Sequence, residues 1–239
     1  MANWGFLTNH AHALIQVARD PRSTVREIAL ETGITERAAH AVLKDLRQAG
    51  IVSTRREGRL DIKQVDVAAL VRHRPWGASD MEIPEQLIQA TLRGLAAVVR
   101  ADGGTIAQQP PCTDSAAHEE TDTVITRRWG FLTTHALILI YVTQHPHSTV
   151  REIALAVGVT ERAAHSTLQD LREARIIECE RSGRRNSYTV NFLHLSGFRR
   201  EGTAAGLVPD SFVSSIVDAL LPLQAPEYAM LEDEAHPVN

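Results

Sequence analysis

The side chains best equipped for chemistry in this chain are arginines and histidines that recur at a fixed interval. Arg26, Arg37 and His40 return as Arg151, Arg162 and His165, each 125 positions further on. Arginine presents a planar fork of donors that suits phosphate and other paired acceptors. The chemistry on offer is therefore recognition, not bond making. No Gly-rich phosphate loop, nucleophile elbow or paired-carboxylate motif accompanies these residues. No catalytic residue is assigned, and an enzyme is not expected. Cys112 and Cys179 lie at unmatched positions, with no CxxC or Cys/His metal spacing. No metal or cofactor set is expected, a disulfide framework is not indicated, and a cytoplasmic setting is the default.

The recurring side chains must be positioned by whatever the surrounding residues build. Residues 24–52, TVREIALETGITERAAHAVLKDLRQAGIV, reappear at 149–177 as TVREIALAVGVTERAAHSTLQDLREARII. The same interval pairs Trp4 with Trp129, Pro21 with Pro146, Gly58 with Gly183 and Pro84 with Pro209. So long a period indicates a duplicated domain and not a solenoid. The expected division is a first domain at 1–100 with its own C-terminal helix, an acidic flexible linker at 101–125, a second such domain at 126–225 and an acidic tail at 226–239.

The 239 residues carry a formal net charge of −4, so the whole molecule is not a generic polyanion binder. The charge is uneven. Asp102, Asp114, Glu119, Glu120 and Asp122 fall in the linker, and Glu227, Glu232, Asp233 and Glu234 in the tail. The repeated cores are left closer to neutral or mildly basic. No signal-peptide pattern opens the chain, and the apolar run Ala136–Val142 is far short of the roughly 20 residues a membrane helix needs.

Within each copy the periodicity switches twice. Residues 4–18 show an apolar stripe through Leu7, Ala11, Leu14, Ile15 and Ala18, which predicts a first helix ended by Pro21. Thr24-Val25-Arg26-Glu27 is a capping box for a second helix, ended by Gly33. Thr35 caps a third helix with Ala39, Val42, Leu43 and Leu46 inward, and with Glu36, Arg37, His40, Ala41, Lys44 and Arg47 on its other faces. Residues 51–56 and 60–65 read as two strands around Glu57-Gly58. Pro84 opens a last helix with Leu87, Ile88, Leu92, Leu95, Ala96 and Val99 on its apolar face. The fold class is thus mainly α with small β-hairpin wings (α+β): two tandem winged helix-turn-helix domains. In this arrangement the second helix of the pair is narrow enough to enter a major groove, with the wing beside it.

The run GITERAA with DLRQAGIV and a glycine-turn wing resembles small bacterial winged-helix regulators of the MarR-like class, over nearly the whole of both copies. The resemblance implies a sequence-specific double-stranded DNA-binding transcriptional regulator, a repressor by preference, reading an imperfect palindrome through two non-identical helices. It implies DNA contacts at Arg37, Ala38, His40, Ala41 and Lys44, and at Arg162, Ala163, His165, Ser166 and Gln169. Thr35 and Thr160 stand at the starts of these helices. For Arg37 and Arg162 a guanine contact, a phosphate clamp and a plain surface arginine at a helix start all remain open. For His40 and His165 the alternative is a half-buried helix histidine. Arg26 and Arg151 suit phosphate contacts or a solvent-exposed pair. Wing contacts fall to Arg56 and Arg59 in the first copy and to Arg181, Arg184 and Arg185 in the second; the first copy has Leu60 and Asp61 where the second has Arg185 and Asn186, and an aspartate there repels phosphate. The second wing is therefore expected to grip harder.

In the resembling regulators terminal helices make a dimer, so the fused copies imply a single-chain pseudo-dimer. Helix one differs between copies, with His12, Ala13 and Gln16 where the second has Leu137, Ile138 and Tyr141. A helix apolar all round is buried all round, either in a deeper core or, by preference, at an inter-copy interface with the last helices. Trp4, Gly5, Phe6, Leu7, Thr8 and His10 recur as Trp129, Gly130, Phe131, Leu132, Thr133 and His135. Packing onto the core is the leading reading for them, with a histidine pair for a metal or haem the minor one. A protein-interaction scaffold, a small-molecule effector and further homodimerisation are the competing or additional expectations.

Overall fold

A computed structural model describes residues 5–58, 60–66, 69–70, 84–90, 129–182, 185–197 and 216–223. Among them the first segment runs α1 (Asn9–Arg19), α2 (Val25–Thr32), α3 (Glu36–Gln48), β1 (Val52–Glu57) and β2 (Leu60–Val65). The second repeats the order: α4 (Thr134–Gln144), α5 (Val150–Val157), α6 (Glu161–Glu173), β3 (Ile177–Ser182), β4 (Arg185–Val190) and then α7 (Phe192–Gly197). Residues 85–90 and 216–220 are helical as well. The linker 101–125, the tail 226–239, Trp4, Cys112 and the positions Leu92, Leu95, Ala96 and Val99 of the expected last helix lie outside the described residues.

The local signals dictate these elements. Thr24 Oγ1 accepts the Glu27 N–H at 3.2 Å while Glu27 Oε2 accepts the Thr24 N–H at 2.6 Å, a complete capping box. Those bonds hold the Glu27 carboxyl below its ordinary range. Thr149 and Glu152 repeat the box. Gly33 ends α2 at φ 70°, and the Gly33 and Ile34 amides donate back to Leu30 and Ala29 carbonyls at 3.2 and 2.9 Å. This is a Schellman stop that satisfies two orphan carbonyls.

Each hairpin is an antiparallel pair, Val52 opposite Val65 and Ile177 opposite Val190. The wings are moored by backbone: the Lys63 amide donates to Pro21 O at 2.8 Å, and that of Tyr188 to Pro146 O at 2.9 Å. At this matched position the side chains differ sharply. Tyr188 is buried, its hydroxyl accepting from Asn186 Nδ2 at 3.0 Å. Lys63 is buried too, its Nζ donating to the Ser23 carbonyl, and desolvation pushes its pKa below the usual lysine value.

The expected helix over 4–18 begins only at Asn9. Gly5 to Thr8 are extended, and Leu7 forms an antiparallel bridge with Leu132. The bridge is reciprocal. The Thr8 amide donates to Phe131 O and the Thr133 amide to Phe6 O, both at 2.9 Å. The Thr8 and Thr133 hydroxyls donate to Gly130 O and Gly5 O, both at 2.6 Å. A helix through residues 5–8 would have satisfied these groups locally; pairing satisfies them across the chain instead.

One contiguous apolar cluster takes in both segments, including Leu7, Leu87 and Ile88 with Leu132, Ile138 and Leu220. Helix α4 packs on α5, α6 and β4, and Leu137, Ile138, Leu139 and Ile140 are all buried. Helix α1 packs on α2, α3 and β2, and buries His12 where α4 has Leu137.

Candidate nucleic-acid interface

The outward face of α3 is what the helix-turn-helix presents. Thr35 sits in extended backbone, and its Oγ1 accepts the Ala38 amide at 3.2 Å, which fixes where the helix starts. Thr160 does the same for Ala163 at 3.2 Å. These threonine hydroxyls are thus engaged as helix caps. Burial of Ala39, Val42, Leu43 and Leu46 on one side of α3 then fixes its rotation. Arg37, His40, Ala41 and Lys44 are all exposed on the other side. In α6 the burial of Ala164, Thr167, Leu168 and Leu171 leaves Arg162, His165, Ser166 and Gln169 exposed.

Both histidines are exposed, so the half-buried alternative does not hold for His40 or His165. Glu36 and Glu161 stand in the first turn of their helices, where a negative charge opposes the positive end of the dipole. Arg26 Nε lies 3.9 Å from Glu36 Oε1, both well exposed. This is the solvent-exposed pair of the alternative reading, and such pairs are worth about 0–1 kcal/mol. It leaves Arg26 at the mouth of the turn, beside the start of α3. Arg151 is exposed at the matching position of α5.

In the first wing Arg55, Arg56 and Asp61 are exposed, with Arg56 directly opposite Asp61. In the second wing Arg181 is exposed and lies opposite Asn186. An arginine facing aspartate has its charge partly answered, and one facing asparagine does not. Arg59 and Arg184 lie outside the described residues, as does the side chain of Arg185.

Residues 12–53 match the family model of the winged helix-turn-helix DNA-binding domain. The match spans most of α1, all of α2 and α3, and the first residues of β1. The chain therefore carries a winged helix-turn-helix DNA-binding domain, mainly helical with small antiparallel hairpins. No curated protein and no solved structure matches the chain. The second segment lies beyond the match, and its helices and hairpin follow the same order.

Two contacts behind this winged helix-turn-helix were not expected from the sequence. His10 Nε2 lies 3.1 Å from Asp45 Oδ2 on α3, and His135 Nε2 lies 3.1 Å from Asp170 Oδ2 on α6. Each histidine thus ties a first helix to the third. The six-residue recurrence from Trp4 to His10 is plain in the sequence, but nothing in it points to the aspartate 35 positions away. Burial pushes the His135 pKa below its ordinary value, against the opposing pull of Asp170. Among the described residues no cluster of three or more His, Cys, Asp or Glu is set to hold a metal, and no helix is long and apolar enough to cross a membrane.

Proposed function

We propose that the chain is a sequence-specific double-stranded DNA-binding regulator of transcription, built as a fused pseudo-dimer of MarR-like winged helices and acting in the cytoplasm. The observation that carries this is the exposed row Arg37, His40, Ala41 and Lys44 on α3, in a segment matched as a DNA-binding winged helix. An α-helix fits the major groove, and such a row brings donors to base edges. The reciprocal pairing of Leu7 with Leu132 supports the pseudo-dimer, because it relates the two segments head to head. Two reading helices so related address an imperfect palindrome, with half-sites about one helical turn apart. Occlusion of a promoter is the simplest consequence, so repression is the preferred sense. The second wing grips harder, since Asn186 replaces Asp61 opposite the matched arginine.

Fluorescence anisotropy of a labelled duplex over a salt series tests the reading. The logarithm of affinity should fall linearly with the logarithm of salt as phosphate counterions are released. Absence of binding at every salt concentration would defeat it.

A second reading, a winged-helix scaffold for a protein partner, draws on Leu30 and Leu155. They occupy the same position of α2 and α5 and are 67% and 83% exposed. This reading predicts no salt-dependent duplex binding and a stable partner recovered by pull-down.

A further inference from the structure

We infer that the two half-sites of the operator differ at one mirrored position, guanine under Lys44 and adenine under Gln169. The inference rests on the DNA-reading function proposed above and sharpens it to a base code.

The two reading helices are built alike. Each has 13 residues, and their caps have the same backbone, with Thr35 at φ −72°, ψ 152° and Thr160 at φ −73°, ψ 152°. Their first five residues are identical, the outward pairs Arg37 and Arg162 and His40 and His165 among them. Differences in sequence preference must then come from exposed positions where the helices diverge. Three exist on the outward face: Ala41 against Ser166, Lys44 against Gln169, and Gln48 against Glu173. A serine hydroxyl both donates and accepts and so discriminates weakly. The third pair lies in the last turn, away from the helix start that approaches the groove floor. Position 44 and its match 169 lie two turns from the start, on the same side as Arg37 and Arg162.

The chemistry of these two side chains is opposite in kind. An ammonium has donors and no acceptor. On the major-groove edges, guanine offers two acceptors, N7 and O6, and is the base such a group prefers. Gln169 has both a donor and an acceptor, and its orientation is set. Its Nε2 donates to Glu173 Oε1 at 2.9 Å. The carboxylate can only accept, so the amide nitrogen must face it and the amide oxygen must face away. That leaves Oε1 to accept from adenine N6 and the second N–H of Nε2 to donate to adenine N7. The Glu173 carboxylate also repels phosphate, so Gln169 is badly placed for a backbone contact. In the first segment position 48 is a neutral glutamine, so no carboxylate stands one turn beyond Lys44.

The test is selection of bound duplexes from a random pool by the full chain and by two variants, K44Q and Q169K. Both positions are exposed, so neither variant threatens the fold. For the wild type the expected motif has guanine at the position in one half and adenine at its mirror. K44Q should move the motif towards adenine in both halves, and Q169K towards guanine in both. Direct titration of the corresponding duplexes should show each variant preferring its own symmetric site on the order of tenfold. A wild-type motif identical in both halves overturns the inference while leaving the DNA-reading function intact. So does a K44Q variant that binds every sequence more weakly without changing the motif, which would make Lys44 a phosphate clamp. Recovery of no motif by any of the three proteins overturns the function itself and the inference with it.

Discussion

Trp129 lies flat against His10, with ring centroids 4.5 Å apart and planes 6° from parallel. His10 also reaches Asp45 on α3 at 3.1 Å. A residue that opens the second segment is therefore two contacts from α3 of the first. Trp129 packs edge-on against Phe131 at 5.5 Å, beside the bridge at Leu132. Junction and α3 are one connected structure.

Trp129→Ala should accordingly destabilise the whole chain. Loss of the ring pairings alone is worth about 0.5–1.5 kcal/mol. Chemical denaturation followed by circular dichroism would measure it. A variant as stable as the wild type would show that the stack contributes nothing.

Acid should cost stability at the matching histidine of the second segment, where burial disfavours the charged ring more than Asp170 favours it. The His135 pKa is lowered from 6.5, chiefly by burial. Because the folded ring resists protonation, the unfolded chain takes up the proton first. The stability that neutral His135 confers is whole above 6.5 and is lost as the pH falls through the lower folded value. The difference in unfolding free energy between wild type and His135→Gln should shrink on acidification from about pH 7.5 to about 5.5. A difference independent of pH would contradict this.

The ends of α3 and α6 offer a paired test of backbone strain. Gly50 has φ 70°, and its counterpart Arg175 is held at φ 57° by the same stop, its amide bonded to Arg172 O at 2.9 Å. The left-handed conformation costs a side chain about 1–2 kcal/mol, partly offset by the greater freedom of glycine when unfolded. Arg175→Gly should raise stability by about 0.5–1 kcal/mol, and Gly50→Ala should lower it by about 1 kcal/mol. Thermal melts of both variants check the two signs together.

The caps should matter to both stability and reading. Thr35→Ala and Thr160→Ala should each cost about 1 kcal/mol, because the Ala38 and Ala163 amides lose their acceptors. Thr35→Ser keeps the hydroxyl and should recover most of that loss in the same denaturation experiment.

What the sequence disclosed and what it hid divide along the range of the contacts. The capping boxes at Thr24 and Thr149, the stop at Gly33 and the cap at Thr35 involve residues within a few positions of each other. They were legible, and with them the inward set Ala39, Val42, Leu43 and Leu46. The candidate reading face followed, since burial of one side of a helix exposes the other. Contacts between distant residues were not legible. The bridge of Leu7 to Leu132 replaced an expected turn of helix, because the apolar stripe through Leu7 suits either backbone. Lys63 gave no sign that it would be buried. Its place is set by the Lys63 amide bond to Pro21, and the matched Tyr188 shows the site to be built for a buried side chain. The bonds of His10 to Asp45 and of His135 to Asp170 likewise depend on how helices one and three cross.

The central claim is that α3 and α6 each read one half of a DNA site. Its most direct test is selection from a random duplex pool at moderate salt by the wild-type chain, Arg37→Ala and Arg162→Ala. The wild type should recover an imperfect palindrome with half-site centres about 10–10.5 base pairs apart. Each variant should lose about 1–3 kcal/mol of affinity and relax one half of the motif only. Recovery of no motif by the wild type, or of an unchanged motif by both variants, would contradict it.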